Sequence, residues 1–323
     1  MNTDGVSVII PNWNGAHRLR KLFQTLSEQR PVHEVILVDN GSTDSSVELA
    51  RDAGARVVRF TTNRGFAVAD NRGVAEAAAQ WLAIINNDVE LGPGWLETLL
   101  SAATANSVAF ATGKLLNTAR PDLIDGTYDA VSRGGTAWRC GAGRPDGPKF
   151  NREVSIQFSP FTAVLVQKQL FTRVGPLDEQ FESYLEDIDF GFRCAKLGAR
   201  GLYVPQAVAY HQGSATLGRW HAETVRRMAR NQLLLVAKHY PHPWIVRYGW
   251  SILVAQGVWG LLAIRHGAAG PWLRGIGQGL RLFRNARSPG PAGIAAVLAE
   301  SESQIFSSPD RYWRIYFALT GGW

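Results

Sequence analysis

The sequence predicts an α/β protein, a doubly wound sheet followed by a basic helical extension. Three observations carry this. Strand-like and helix-like segments alternate through the first hundred residues, a rhythm that implies parallel strands joined by right-handed crossovers. Polar residues gather where those strands end, and the charge balance shifts sharply past residue 211.

The elements follow in order. VSVII (6–10) reads as a buried strand, and Leu19, Leu22, Phe23 and Leu26 recur at helical spacing across 16–29. EVILVD (34–39) is a second strand. TDSSVELARDAG offers Asp44 or Ser45 as helix cap and Gly54 as stop. ARVVRF (55–60) is a third strand, FAVADNRGVAEAAAQ (66–80) a third helix and WLAIIN (81–86) a fourth strand. Residues 113–160 break the rhythm with Gly, Arg and Pro and no clean period, as functional or disordered loops do. FTAVLVQ (161–167) resumes strand character, EDIDFGFRCAKLG reads as a helix stopped by Gly198, and YVPQAVAYH (203–211) is extended.

The tail differs in kind. Residues 212–323 carry 13 Lys/Arg against 4 Asp/Glu, while the preceding 211 carry 21 against 23. A neutral body with a basic, Trp-bearing tail points to an anionic partner. YGWSILVAQGVWGLLAI (248–264) is almost wholly apolar between Arg247 and Arg265. Its 17 residues would span only ~26 Å as a helix, the lower limit for crossing a bilayer. A helix lying in the membrane plane, followed by the basic stretch PWLRGIGQGLRLFRNAR, fits better, with a buried helical subdomain as the other reading. Nucleic acid is disfavoured because the tail is rich in Trp, Leu and Gly and carries no recognisable binding motif.

Composition bounds the rest. At 46% hydrophobic and 19% charged residues over 323 positions, the chain can bury a large core. The start MNTDGVSVIIPNWNG lacks the pattern of a secretory signal, and Cys140 with Cys194 lack metal-ligand spacing. Reduced thiols in a cytosolic protein are the expectation.

Side by side, the strands bring four polar groups to one sheet edge, where open α/β sheets bind ligands. These are Asn12, Trp13 and Asn14; Asp39, Asn40, Gly41 and Ser42; Asn63, Arg64 and Gly65; and Asn86, Asn87 and Asp88. One such loop is ordinary turn chemistry. Four together are not. No GxGxxG follows the first strand and no GxxxxGK[ST] is present, which argues against dinucleotide and P-loop sites. An aromatic ring, amides and carboxylates instead suit a nucleotide diphosphate: Trp13 to stack on a base, Asp39 or Asn40 to accept its imide N–H, Asp88 to hold a hard divalent cation. Glu186, Asp187 and Asp189 form a second cluster at a helix start, where acids are favoured in any case. Asp189 suits that role, whereas Glu186 or Asp187 could supply a general base. His211 begins a third, YHQGSATLG.

These residues make the chain resemble the inverting family-2 glycosyltransferases of the GT-A fold, especially a bacterial rhamnosyltransferase-like branch that builds surface polysaccharides. The motifs VSVIIPNWNG, LVDNGSTDSS, NRGFAVADNRG, INNDVEL, LDEQFESYLEDIDFGFR and YHQGS occur in family order over residues 5–215. The tail adds RNQLLLVAKHYP and an amphipathic end. The resemblance implies a doubly wound mixed sheet in residues 1–215, with a donor half to about 112 and an acceptor half from 113, and a basic, membrane-associating helical region over 216–323. It implies that Trp13, beside Pro11, stacks on the base and that Asp39 with Asn40 reads a uracil or thymine edge. Asn63, Gly65 and Asn71 would line the sugar-nucleotide pocket. Asn86-Asn87-Asp88 stands where the metal-binding DxD would be, His211 where a further ligand would be, and Asp187 matches the catalytic base with Glu186 beside it. Mg²⁺ or Mn²⁺, a dTDP- or UDP-sugar and a saccharide or polyprenyl-diphosphate-linked acceptor are the implied cofactor and substrates, met at the inner face of the cytoplasmic membrane. Two departures stand out: only Asp88 keeps charge in NND, and Phe161-Thr162 replaces the usual Gly-Ala before the 161–167 strand. Asn40, where many relatives carry a second Asp, tilts the donor toward dTDP-L-rhamnose. The competing readings are a polyprenyl-phosphate glycosyltransferase and a catalytically silent sugar-nucleotide-binding protein at the membrane.

Overall fold

The computed structural model describes residues 5–211, 220–286, 294–306 and 308–321; residues 212–214 of the YHQGS motif lie outside them. The first half alternates β1 (Val6–Asn12), α1 (Ala16–Leu26), β2 (Val32–Asp39), α2 (Ser46–Asp52), β3 (Arg56–Arg59), α3 (Phe66–Glu76), β4 (Trp81–Ile85), β5 (Val89–Leu91) and α4 (Trp95–Ala105). Next come β6 (Phe110–Asn117), β7 (Ile124–Gly126), β8 (Asp129–Val131), β9 (Ala137–Arg139), β10 (Val154–Ile156), β11 (Ala163–Gln167), α5 (Lys168–Val174), α6 (Glu186–Lys196) and β12 (Gly201–His211). Five helices follow: α7 (Ala222–His239), α8 (His242–Arg265), α9 (Ala269–Ala286), α10 (Ile294–Phe306) and α11 (Arg311–Thr320).

The main sheet runs β10-β12-β6-β11-β4-β1-β2-β3. β1 is buried along its whole length because β2 and β4 flank it in parallel and helices cover both faces. Its side chains alternate between two cores. Val6, Val8 and Ile10 meet Leu19, Leu22 and Leu26 of α1 and Leu96 and Leu99 of α4. On the opposite face Ile9 meets Ala67 and Val74 of α3, in a cluster that continues to Phe190 of α6. The sheet is mixed: β11 lies antiparallel between β4 and β6, which restores β6 to the direction of β4. The polar ends of β1, β2 and β4 therefore share one edge.

The 113–160 segment, expected to be irregular, holds the end of β6 and the four strands β7 to β10. Those four are three residues each, too short to show a period.

The tail is a packed helical layer. Leu234, Leu235 and Val236 of α7, with Tyr248 and Ile252 of α8, bury Phe181, Leu185, Ile188 and Phe192 from around α6. α9 approaches α7 closely where Gly275 and Gly279 leave room: a Cβ on Gly275 would stand 2.3 Å from the Arg226 carbonyl oxygen. α8 is the one helix among the described residues long and apolar enough to cross a membrane, with a mean hydropathy of 1.2 over a window 39% buried in the protein. It is two-faced. Val246, Trp250, Leu253, Leu261 and Ile264 are all exposed, and their spacing of three and four residues (with Gly257 between) puts them on one stripe.

Candidate functional site

One cavity of about 1460 Å³ opens at the carboxyl edge of the sheet and runs on to the C-terminal helices. Single small-molecule sites usually occupy roughly 300–1,000 Å³, so this one has room for two ligands. Pro11, Trp13, Asn40, Asn63, Gly65, Asn87, Asp88, Glu186, Asp187 and His211 all line it.

The β1 and β4 ends are tied together by amides. Asn87 Nδ2 donates to Asn12 Oδ1 (2.7 Å), and Asn12 Nδ2 donates to Ser42 Oγ (3.2 Å). Trp13 beside them is 40% exposed, leaving its ring free to receive a flat ligand. Asn40 spends its side chain on the protein: Nδ2 donates to Asn63 Oδ1 (3.0 Å) and to the Gly65 carbonyl (2.9 Å), and Oδ1 accepts the Arg64 N–H (2.8 Å). It shapes the 63–65 loop, whose Gly65 has φ +92° and no space for a Cβ, which would lie 2.8 Å from the Glu182 carbonyl oxygen.

Two expected residues do not line the cavity. Asp39, the last residue of β2, is fully buried; its Oδ2 accepts the Ser42 N–H (3.2 Å) and pairs with Arg59 (3.3 Å). Asn71 turns away from the cavity to latch α3 to the 177–179 segment, accepting the Leu177 N–H at 2.8 Å and donating to its carbonyl at 2.9 Å. Its Nδ2 also meets Glu179 Oε1 at 3.3 Å, so both ends of the amide are engaged by the protein.

Asp88 and His211 meet because β12 pairs antiparallel with β5, setting His211 opposite Val89, the residue after Asp88. Asp88 Oδ1 is buried without a hydrogen bond and faces His211 Nε2 at 3.3 Å. On the other side, His211 Nδ1 meets Asp125 Oδ2 of β7 at 2.7 Å. Burial would lower the imidazole's pKa, but Asp125 and Asp88 win and push it up to about 9. Burial likewise opposes ionisation of Asp88, yet His211 and the Arg18 charge hold its carboxyl below the ordinary value. A divalent cation fits this set. Asp88 Oδ1 and His211 Nε2 face each other across 3.3 Å, where a cation would part them, and the Asp125–Nδ1 contact is the outer support that metal-bound histidines use. No cluster of three or more His, Cys, Asp or Glu forms a metal site among the described residues. A cation here would therefore draw its remaining ligands from substrate and water, as Mg²⁺ commonly does.

Glu186 and Asp187 open α6 on another part of the wall. Asp187 Oδ1 accepts the Ile188 N–H (2.8 Å) and Oδ2 the Phe161 N–H (3.4 Å). Burial and the neighbouring Asp129 raise Asp187 to about 6, against the pull of Arg139. Burial and the Asp187 charge raise Glu186 to about 8. At neutral pH the pair thus holds one proton, kept chiefly by Glu186, and Asp187 is the ionised member. Asp189 stands apart: His239 (2.9 Å), Lys238 (2.6 Å) and Arg193 (2.9 Å) surround it and hold its carboxyl far below the usual range.

Sequence reasoning missed several wall residues. Asp125 sits in LIDG, which reads as an ordinary turn. Arg139, paired with Asp129 at 2.8 Å, lies in the stretch without a period. The C-terminal helices contribute Arg227 and Gln232 from α7, Trp259 and Leu262 from α8 and Tyr312 and Trp313 from α11. The apolar spacing of these helices signals packing, not a cavity.

Residues 7–136 match the family model described as Glycosyl transferase family 2. The N-acetylglucosaminyl-diphospho-decaprenol L-rhamnosyltransferase of Mycobacterium tuberculosis is 28% identical over 282 residues, covering 77% of this chain and 90% of the relative. The O-antigen biosynthesis protein RfbC of Myxococcus xanthus is 29% identical over 231 residues, covering 66% of this chain and 18% of that protein. Among solved structures, GalNAc-T7 with UDP, GalNAc and Mn²⁺ superposes with a TM-score of 0.65 at 15% identity, covering 94% of this chain. This chain spans 58% of the length of that one. The mannosyltransferase PcManGT of Pyrobaculum calidifontis, with GDP-Man and Mn²⁺, gives 0.53 at 19% identity, covering 98% of this chain and 83% of its own. These likenesses fix the fold as GT-A.

Proposed function

We propose that this chain, whose residues 7–136 match the family 2 glycosyltransferase model, moves L-rhamnose from dTDP-L-rhamnose to a hydroxyl of a lipid-linked saccharide, inverting the anomeric carbon. Bacterial surface polysaccharide synthesis is the setting. The observation that carries this reading is a single cavity with room for two ligands, holding the Asp88–His211 pair on one wall and the Glu186–Asp187 pair on another. The rhamnosyltransferase name of the mycobacterial relative supports the sugar and the lipid-linked acceptor.

In this mechanism the Trp13 ring stacks on the nucleobase, while Asn40 keeps the 63–65 loop in shape beneath the sugar. Asp88 Oδ1 and His211 Nε2 are the atoms that would hold Mg²⁺ or Mn²⁺. Such a cation supplies Lewis-acid charge that stabilises the departing nucleotide diphosphate. Asp187 takes the proton from the acceptor hydroxyl as its oxygen attacks C1. The bond from C1 to the diphosphate oxygen breaks on the opposite face, its electron pair leaving with the nucleotide. A base near pKa 6 is ionised at neutral pH yet basic enough to share a proton in the transition state. Glu186, protonated under the same conditions, spares Asp187 a second negative charge at its side. A phosphate acceptor is already ionised and needs no base, so Asp187 favours a hydroxyl acceptor over a polyprenyl phosphate.

The exposed apolar stripe of α8, bounded by Arg247 and Arg265, lies in this reading against an anionic membrane surface at the inner face of the cytoplasmic membrane. The same helix lines the cavity with Trp259 and Leu262, which suits an acceptor presented by a lipid.

Calorimetric titration of dTDP-, UDP- and GDP-sugars, with Mg²⁺, Mn²⁺ or EDTA, tests the assignment on wild type and Asp88→Ala. Metal-dependent binding of dTDP-L-rhamnose, lost in the variant, is the expected result. No nucleotide sugar binding to folded wild-type protein would overturn it.

A further inference from the structure

The motif RNQLLLVAKHYP begins within α7, and the reaction above makes no use of it. Its first two residues nevertheless reach the segment that carries the chain into α6. That segment is strained: Glu182, Tyr184 and Leu185 have φ of 60°, 74° and 71°, a region non-glycine residues rarely adopt. Leu185 is the residue from which α6 starts, and no side chain caps that helix.

A buried amide lies at the centre of what holds the segment. Asn231, fully buried, directs Nδ2 at the carbonyl oxygens of Phe181 (2.9 Å), Ser183 (3.0 Å) and Tyr184 (2.7 Å). Its orientation is fixed by Arg230, whose Nε donates to Asn231 Oδ1 at 2.9 Å. Arg230 Nη2 also donates to the carbonyls of Gln180 (3.0 Å) and Phe181 (2.9 Å), and Nη1 pairs with the Glu182 carboxylate. Arg226 and Arg227 reach the same carboxylate at 3.4 and 3.2 Å. The Glu182 carbonyl accepts the Phe66 N–H at 3.0 Å, so the segment also abuts the loop beneath the donor site.

We propose that Asn231, oriented by Arg230, is a positioning residue for the transfer reaction: it holds residues 182–185 in the one backbone path that aims Asp187 into the cavity. α7 is then part of the catalytic apparatus as well as of the helical layer. The inference rests on the reading of Asp187 as the base. Donor contacts at Trp13 and Asp88 are made by other elements, so loss of the clamp falls chiefly on the chemical step.

Asn231→Asp keeps the shape but turns an acceptor oxygen toward three carbonyls. Glu182→Gln removes the charge that gathers three arginines from a partly exposed side chain, and serves if the first variant fails to fold. Both are compared with Asp187→Asn for thermal melting, donor binding, kcat, KM and the pH–rate profile. A folded Asn231→Asp should lose about 100-fold in kcat, the scale of a base displaced by about 1 Å, with donor Kd and donor KM within about two-fold of wild type. Its acid limb should shift, because the surroundings of Asp187 change. Glu182→Gln should show a smaller loss of the same kind. Wild-type kcat and pH profile in the folded variants, with Asp187→Asn inactive, would overturn the clamp and leave the base standing. Parallel loss of donor binding and kcat would also overturn it, since that marks a merely structural role. Turnover in Asp187→Asn would instead strike the base assignment, leaving the kcat loss in the clamp variants as a separate result.

Discussion

Ionising Asp187 costs the fold stability, and Asp187→Asn should recover it. Its carboxyl is raised from the ordinary 3.8 to about 6 by burial and by Asp129. A carboxyl raised on folding binds its proton more tightly in the native state, so its contribution is fully present below pH 3.8 and is lost as pH rises through about 6. The shift of roughly 2 units, at about 1.36 kcal/mol each, makes the loss about 3 kcal/mol by pH 8. Removing Asp187 also relieves Glu186 of a neighbouring charge, which acts in the same direction. Urea unfolding of wild type and Asp187→Asn at pH 4 and pH 8 reads the effect. The variant should gain about 3 kcal/mol relative to wild type between the two pH values, although it is inactive at both. An equal pH dependence in the two proteins would refute the argument that this carboxylate is held ionised against its surroundings.

Other consequences are as direct. In the same pH window the reaction should slow as Asp187 takes up its proton, with kcat about ten-fold lower at pH 5 than at its plateau; a rate flat from pH 7 to pH 5 would contradict this. Asp125→Asn withdraws the charged partner of His211 Nδ1 and should weaken Mn²⁺ binding by 10–100-fold, a range set by outer-shell partners of metal-bound histidines, with little change in melting temperature. Trp13→Ala should raise donor Kd by about ten-fold, the low-to-middle range of base stacking on an aromatic ring, and unchanged affinity by calorimetry would remove the ring from the donor site. Leu253→Glu with Leu261→Glu puts two charges on the exposed stripe of α8 and should abolish co-sedimentation with anionic vesicles while leaving the far-UV spectrum intact.

The sequence made the first hundred residues of the fold plain because each strand is a short apolar run and each helix repeats its apolar residues at three and four. Val6, Val8 and Ile10 against Ile9 on β1 is the same alternation seen from inside. Polar strand ends were harder to read. A carboxylate at such an end can face the cavity, as Asp88 does, or turn into the protein, as Asp39 does, and no pattern in sequence distinguishes these cases. Asp125 hid inside what reads as a turn, because only the pairing of β6 with β7 carries it to His211. The cavity wall built by the tail was the least legible part. Its contacts join residues such as Trp138 and Asp310, 172 positions apart, through helices whose periodicity declares only that they pack. The strain at 182–185 likewise shows only in the backbone, since neither Glu182 nor Tyr184 is a glycine that would advertise a positive φ.

The proposed mechanism is a single displacement driven by Asp187 in a cavity shared by donor and acceptor. The most direct test is an NMR assignment of the anomeric configuration of the product, made by wild type from the nucleotide sugar that the binding panel selects, with Asp187→Asn run beside it. Wild type should give product of inverted configuration and the variant none, although the variant still binds donor. A product of retained configuration, or equal turnover by the variant, would contradict it.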